Sequence, residues 1–277
     1  MITGCGSQTS SLKGDRREPP ATNAQAMLRY ATTQAAAGRA DFAGSSNAGV
    51  RFRVLERSGA FMNAGSPHAF ALFAPSELMV TVSSASSARV TGRFTGPWRF
   101  ATTFARQQWQ AAGSPRLPSA RMTTHSVTRP ADTYSFLPVG TKMTFEEAQQ
   151  LPTTTTEIRQ AVEAHLSRSG NYLPPELLLR AYGYLLGVAP LRAATRAAIF
   201  SSIASLPTVK ARGVGHDLLG RSGYLISADD PYERIELLLD PSHAEVLAVQ
   251  QRVLTPQAIY PGLASGSLVT STTFVRR

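Results

Sequence analysis

The single cysteine of the chain is the first residue whose type and setting could do chemistry. Cys5 follows Ile2, Thr3 and Gly4. An aliphatic residue, two small residues and a cysteine form the pattern at which bacterial lipoprotein precursors are cleaved and acylated. The small residues fit a peptidase cleft, and the thiol is the nucleophile that accepts a diacylglyceryl group. Two acyl chains would anchor the protein stably, because membrane binding grows by about 0.8 kcal/mol per buried methylene.

The residues around Cys5 favour this interpretation and leave one alternative open. Residues 6–11 are small and polar, which is typical of a flexible tether. Only Met1 precedes the pattern, so the basic and apolar parts of a signal peptide would have to lie upstream, or the match arises by chance. We expect residues 1–20 to form a lipoprotein-type N-terminus and tether. Lipidated Cys5 would then hold the protein at the extracytoplasmic face of the cell membrane.

Patterns that would indicate an enzyme are missing from the sequence. There is no Gly-x-Ser-x-Gly nucleophile elbow, no phosphate loop and no His-Glu-x-x-His. The five histidines have no metal-ligand spacing, and His216-Asp217 is interpreted as a polar strand end beside a turn. A redox or nucleophilic role for Cys5 is not favoured, because no local base accompanies it. We predict a non-enzymatic protein with no catalytic residue, no metal and no cofactor.

Composition predicts an ordinary folded body behind the tether. Apolar residues make up 43% of the chain and charged residues 17%. The richest apolar stretch, residues 177–191, is interrupted by Arg180 and Pro190, and falls short of the roughly 20 residues that span a bilayer. The net charge of +10 comes mostly from scattered arginines. A GC-rich genome accounts for this usage, with attraction to an anionic membrane surface as the alternative, and no nucleic-acid partner is predicted.

Residues 21–118 predict one helix followed by antiparallel strands. Two prolines precede residues 21–37 and Gly38 can end a helix there. From Val50 the residues alternate between apolar and exposed positions, with Phe52 and Val54 on the apolar side. The stretch from residue 50 to residue 118 is rich in aromatic and β-branched residues, and we predict that all of it belongs to a β-sheet.

Residues 143–206 predict a helical insert. Thr144 with Glu147, and Thr154 with Glu157, form two capping boxes that can start helices. A third helix is expected to begin near Pro174, and a fourth at Pro190. The sequence places the following third-helix residues on an exposed stripe: Glu176, Arg180, Gly183 and Gly187.

Strands resume after the insert. Residues 208–254 break at three turns and predict four strands in hairpins, and a last strand is expected at about residues 267–275. We therefore expect an α+β protein with a single antiparallel β-sheet. Residues 21–277 would form one domain, in which the helical insert separates two sheet halves.

Several stretches of residues 143–254 resemble one protein group. They are "TFEEAQQLPTTTTEIRQAV", "PPELLLRAYGYLL…PLRAATRAAIFSSIASLPTV" and "GRSGYLI…RIELLLDPSHAEVLAVQQRV". In this order they are similar to functionally uncharacterised actinobacterial proteins, often membrane-tethered and encoded beside extracytoplasmic-function sigma factors. Those proteins resemble the LolA-like lipoprotein-carrier and mycobacterial lipoprotein fold. The resemblance implies a curved half-barrel sheet that holds helices on its concave face, with an acyl-chain cavity between the two layers.

Two functions are consistent with these features. The first is a membrane-anchored extracytoplasmic lipoprotein that binds a hydrophobic ligand, a lipid or lipidated molecule, between sheet and helices. The second is an extracytoplasmic sensory or protein-interaction domain that contacts a regulatory protein linked to sigma-factor control. The residues expected to line the cavity, or else to form plain core, are Leu178, Tyr182, Leu185, Phe200 and Ile203.

Overall fold

A computed structural model describes residues 22–37, 50–62, 67–83, 87–118, 125–129, 135–137, 142–167, 173–256, 260 and 262–276. Cys5 and the predicted tether lie outside the described residues. The strands are β1 (Val50–Met62), β2 (Phe70–Ser83), β3 (Ser87–Phe94), β4 (Arg99–Phe100), β5 (His125–Arg129), β6 (Lys210–His216), β7 (Ser222–Asp229), β8 (Glu233–Asp240), β9 (Glu245–Val253) and β10 (Leu268–Arg276). The helices are α1 (Ala24–Ala36), α2 (Thr103–Ala111), α3 (Phe145–Gln149), α4 (Thr155–Ser167), α5 (Pro175–Val188) and α6 (Ala193–Ala204).

The fold is α+β, with one large open antiparallel sheet. Its strand order is β5-β3-β2-β1-β10-β9-β8-β7-β6, and the short strand β4 pairs with β2 beyond the end of β3. The strands before and after the helical insert meet where β1 pairs with β10, from Phe52 opposite Arg276 to Arg57 opposite Ser271. The prediction that both sheet halves belong to one antiparallel sheet is therefore confirmed.

The two faces of the sheet differ in what covers them. Side chains alternate along each strand, so Phe52 and Val54 point to the face that packs against the helices, which we call the inner face. Arg51, Arg53 and Leu55 point to the opposite side, which we call the outer face. Helix α5 contacts β7 to β10, whereas α6 lies against α1 and α4. The helices therefore form a stack on the inner face with α5 nearest to the sheet.

Local start signals in the sequence place the helices of the insert. The Thr144 hydroxyl accepts a hydrogen bond from Glu147 N at 3.2 Å, and the Glu147 carboxylate accepts one from Thr144 N at 2.8 Å. This capping box begins α3, as predicted. At the start of α4, Glu157 N donates to the Thr154 hydroxyl at 3.4 Å.

One predicted strand segment is a helix, which corrects the sequence interpretation. Helix α2 begins after Thr102, whose hydroxyl accepts a hydrogen bond from Ala105 N at 3.0 Å. This cap outweighs the β preference of the flanking aromatic residues. Ala105 is fully buried against Phe70 and Leu72 at one end of β2. The helix therefore covers the end of the inner face that the larger helix stack leaves free.

The turn between β6 and β7 folds over the outer face. Leu218 N donates to Thr273 Oγ1 at 3.2 Å, and Arg221 Nη2 donates to the Phe274 carbonyl at 2.7 Å. Asp217, whose side chain is inaccessible to solvent, accepts from Arg221 Nε at 2.6 Å and fixes the turn. His216 beside it is exposed. The hairpin tip therefore crosses β8 and β9 to reach β10.

Candidate functional site

The residues expected to line an acyl-chain cavity all lie in the apolar core. Their exposed fractions are 2% for Leu178 and 0% for Tyr182, Leu185, Phe200 and Ile203. All of them belong to one continuous cluster of buried side chains between the sheet and the helices. A cavity lined by these side chains stays a prediction, and it would require the packed layer to open.

Helix α5 sits close to the sheet through two glycines, contrary to the predicted exposed stripe. A Cβ on Gly183 would lie 2.5 Å from a methyl carbon of Leu237, and a Cβ on Gly187 would lie 2.4 Å from the ring of Phe274. Both glycines are buried. The prediction that they are exposed was wrong, because the missing side chains let the helix backbone approach the strands.

The outer face carries an open groove at the ends of β1 and β2. Its volume is about 520 Å³, within the range of small-molecule sites. Apolar side chains from three strands and one hairpin tip line it together with two arginines. The lining residues are Leu55, Glu56, Arg57, Phe73, Pro75, Ser76, Thr95, Arg99, Phe100 and Leu218.

Strand register brings the groove residues together. Arg57 lies opposite Pro75, and the next outer-face residue of β2, Phe73, lies opposite Arg99 of β4. The folded hairpin tip adds Leu218, which is 40% exposed. None of these contacts is local in sequence, so sequence reasoning missed the groove. The alternation of arginines along β1 was the one available signal.

The two arginines of the groove form no ion pair among the described residues, although one carboxylate, Glu56, belongs to the lining. The Arg57 guanidinium carbon lies 4.5 Å from the centroid of the Phe73 ring, a cation–π contact. Burial lowers the pKa of Arg57 from its ordinary value, because the charged form loses water. Within the described ranges, neither Arg57 nor Arg99 forms an ion pair with an acidic side chain. An apolar floor with unmatched guanidinium groups suits a ligand that is apolar at one end and anionic at the other.

A second polar cluster lies near the start of α5. Tyr260 donates a hydrogen bond to the Glu233 carboxylate, and Gln251 Nε2 donates to the same carboxylate at 2.5 Å. Burial raises the pKa of Glu56, and the charge of Arg180 opposes this only in part. Burial, together with the hydrogen bond to Glu233, raises the pKa of Tyr260. Glu56 and Tyr260 therefore lose their protons at higher pH than an ordinary glutamate or tyrosine would.

The cluster does not resemble a metal centre. Across the described part of the chain, no group of three or more His, Cys, Asp or Glu side chains is arranged to hold a metal ion.

Among those same described residues, no helix is both long enough and apolar enough to cross a bilayer. Comparison with protein-family models, with curated proteins and with solved structures finds no match for this chain.

Proposed function

We propose that the protein is a non-enzymatic, extracytoplasmic lipoprotein that is anchored through Cys5 and binds an amphipathic anionic lipid. The single observation that carries the proposal is the outer-face groove, which combines apolar side chains with the unmatched guanidinium groups of Arg57 and Arg99. Apolar burial would contribute about 25 cal/mol per Å² removed from water. The arginines would select a phosphate headgroup through charge-assisted hydrogen bonds.

We also propose that the sheet is a LolA-like curved half-barrel. The hairpin tip that reaches Thr273 and Phe274 across two strands supports strong bending at this end of the sheet. In a LolA-like carrier the ligand would lie between sheet and helices. The groove offers a binding site without moving α5, whereas an inner site requires α5 to separate from Phe274 and Val249.

Titration with two soluble short-chain lipids tests the groove. We expect dioctanoyl phosphatidylglycerol to bind the Cys5→Ser protein, measured by calorimetry and by native mass spectrometry. The double variant Arg57→Gln with Arg99→Gln should weaken binding at least about tenfold, because it removes two charge-assisted hydrogen bonds. Dioctanoyl phosphatidylcholine should bind more weakly to the parent protein, since its headgroup has no net charge.

A matched control keeps this result specific. Arg51→Gln with Arg89→Gln makes the same change of charge on the same face but outside the groove, and it should leave the affinity for the soluble lipid unchanged. Equal losses in both double variants would overturn the groove as the site.

A crosslink separates the groove from an inner site. A Cβ on Gly187 would lie 2.7 Å from Phe274 Cγ, one bond from Phe274 Cβ, which is compatible with the Cβ separation of about 3.8 Å in disulfides. Gly187→Cys with Phe274→Cys in the Cys5→Ser background would lock α5 onto β10. Oxidised protein that still binds the lipid favours the groove. Binding only after reduction favours the space between sheet and helices.

One observation favours the second function, a sensory or protein-interaction domain. The hairpin formed by β6 and β7 exposes Val214 by 61% and Leu219 by 48%, and β6 lies at an edge of the sheet. An exposed apolar hairpin at a sheet edge suits contact with a regulatory protein. Absence of lipid binding, together with capture of such a partner through this hairpin, would favour that function.

A further inference from the structure

We propose that the outer face of β1 to β4 docks on an anionic phospholipid bilayer and holds the groove against the headgroups. This goes beyond the proposed function, because an acylated cysteine would tether the chain without fixing which side of the sheet meets the membrane. The surface, which we call the arginine face, consists of Arg51, Arg53, Arg57, Arg89, Arg93 and Arg99.

Strand pairing places these arginines on one side of the sheet. Arg51 lies opposite Thr81, which in turn lies opposite Arg89. At the other end, Phe73 lies opposite Arg99. Because every second residue of a strand shares a face, Arg51 and Arg57 also point the same way, about 20 Å apart along β1. The arginine face is therefore broad enough to touch several headgroups at once.

Among the described residues, Glu77 is the acidic side chain that points to the outer face of β1 to β4, and two arginines share its carboxylate. Glu77, 6% exposed, pairs with Arg53 Nε at 2.5 Å and with Arg93 Nη2 at 2.7 Å. Burial disfavours its charged form, but the hydrogen bonds from Arg93 and the charges of both arginines outweigh burial and hold the pKa of Glu77 below its ordinary value. The surface thus keeps a surplus of positive charge at neutral pH.

The other half of the sheet does not share this surplus. Arginines on β6 to β9 and their hairpin tip each form an ion pair with an acidic neighbour. The pairs are Arg212 and Arg234 with Asp229, Arg221 with Asp217, and Arg252 with Glu236. Arginine usage alone therefore does not explain the arginine face, because arginines elsewhere in the sheet have acidic partners.

Apolar residues beside the arginine face favour a bilayer over nucleic acid. At the hairpin tip, Leu218 is 40% exposed and Leu219 is 48% exposed, and Leu218 lines the groove. Basic side chains with adjacent protruding apolar residues are typical of interfacial membrane binding, in which the charges meet phosphates and the apolar groups enter the acyl boundary. A nucleic-acid surface would need no such leucines.

Vesicle co-sedimentation tests the proposal with the Cys5→Ser chain, so that no anchor contributes. Vesicles of equal parts phosphatidylglycerol and phosphatidylcholine should bind the protein, and phosphatidylcholine vesicles should not. Arg51→Glu with Arg89→Glu should lower the partition coefficient at least about 25-fold, from about fivefold per basic residue. Neither residue forms an ion pair in the described chain, and a thermal melt would check that the variant folds.

The matched control is Arg29→Glu with Lys142→Glu, an equal change of net charge at two exposed residues of the helical side. This control should bind the vesicles nearly as well as the parent. Equal losses in both double variants would overturn the proposal, because net charge alone would then explain binding. Tighter binding to a DNA or RNA duplex than to the vesicles at the same salt concentration would also overturn it.

An orientation probe gives a second, independent readout. Cys5→Ser removes the only cysteine, so Leu219→Cys in that background can carry one environment-sensitive fluorophore. Its emission should shift to the blue on mixed vesicles, whereas the same label on Arg29→Cys should not respond. A response at residue 29 but not at residue 219 would overturn the orientation. Docking is measured on intact bilayers, whereas binding in the groove is measured with soluble short-chain lipids. Failure of lipid binding in the groove would therefore leave the vesicle and fluorescence results unchanged.

Discussion

A substitution at Gly187 on α5 tests how closely the helix layer packs against the sheet. We expect Gly187→Ala to lower the free energy of unfolding by about 2 kcal/mol. A Cβ at this position would lie 2.4, 2.5 and 2.7 Å from the Cδ2, Cε2 and Cγ atoms of Phe274. Phe274 is 3% exposed, and its ring packs edge-on against Tyr184 with centroids 5.6 Å apart. The ring therefore has little room to move aside.

The expected magnitude is the difference between two effects. Forcing an extra methyl group into a packed core costs about 1–3 kcal/mol, and three contacts with a rigid ring at less than 3.0 Å place Gly187→Ala at the upper end. Alanine is favoured over glycine in a helix interior by about 1 kcal/mol. The clash outweighs the propensity gain, which leaves a net loss of about 2 kcal/mol.

Urea unfolding followed by circular dichroism measures this loss, with an unchanged m-value as the check on two-state behaviour. Gly183→Ala is the matched control, because its nearest neighbours are the methyl ends of Leu237 and Val249, which can rotate away at lower cost. Adding Phe274→Ala to Gly187→Ala should cost less than the two single losses summed, since the clash disappears. If Gly187→Ala is as stable as the parent protein, α5 is not packed against the strand as described, and the inner layer has free space.

Three further predictions concern the polar side chains of Glu77, Glu56 and Thr144. Glu77→Gln should lower stability by about 1.5–3 kcal/mol through the loss of charged hydrogen bonds. Because the folded-state pKa of Glu77 is depressed, the parent protein should lose this advantage as pH falls below about 4.5, so the two unfolding curves should converge in acid. Glu56→Gln should act in the opposite sense: burial raises the pKa of Glu56, so the variant should match the parent in acid and exceed it at pH 7 in the same urea assay. Thr144→Ala should cost about 1 kcal/mol by removing the capping box, whereas the same change at exposed Thr153 should be neutral; equal losses at both positions would contradict the capping role.

The parts of the fold that could be predicted are those with local signals. Capping threonines and prolines mark the starts of α3, α4 and α5, and each is visible without tertiary information. The strands of the second half follow from turns at short intervals, and β10 (Leu268–Arg276) lies within about one residue of its predicted limits. Local chemistry was sufficient because each of these signals acts within a few residues.

The parts that could not be predicted depend on contacts between distant segments. A glycine on a helix reads as a gap in the apolar pattern, so Gly183 and Gly187 looked exposed, although they allow the closest approach to the sheet. The groove joins Arg57, Phe73 and Arg99 from three strands and Leu218 from a hairpin tip. Only the strand register and the folding of the tip bring these residues together, and no local sequence motif indicates either of them.

The pairing of β1 with β10 also sets the order in which the sheet can be built. Phe52 must find Arg276 across nearly the whole described chain, and bringing such distant segments together carries an entropy cost that grows with the logarithm of their separation. The hairpins within each sheet half need far shorter loops. During synthesis β10 is the last of these strands to leave the ribosome, so β1 keeps one open edge until then. If the chain is exported, as we propose, its sheet would stay incomplete, and suited to translocation, until β10 has been made.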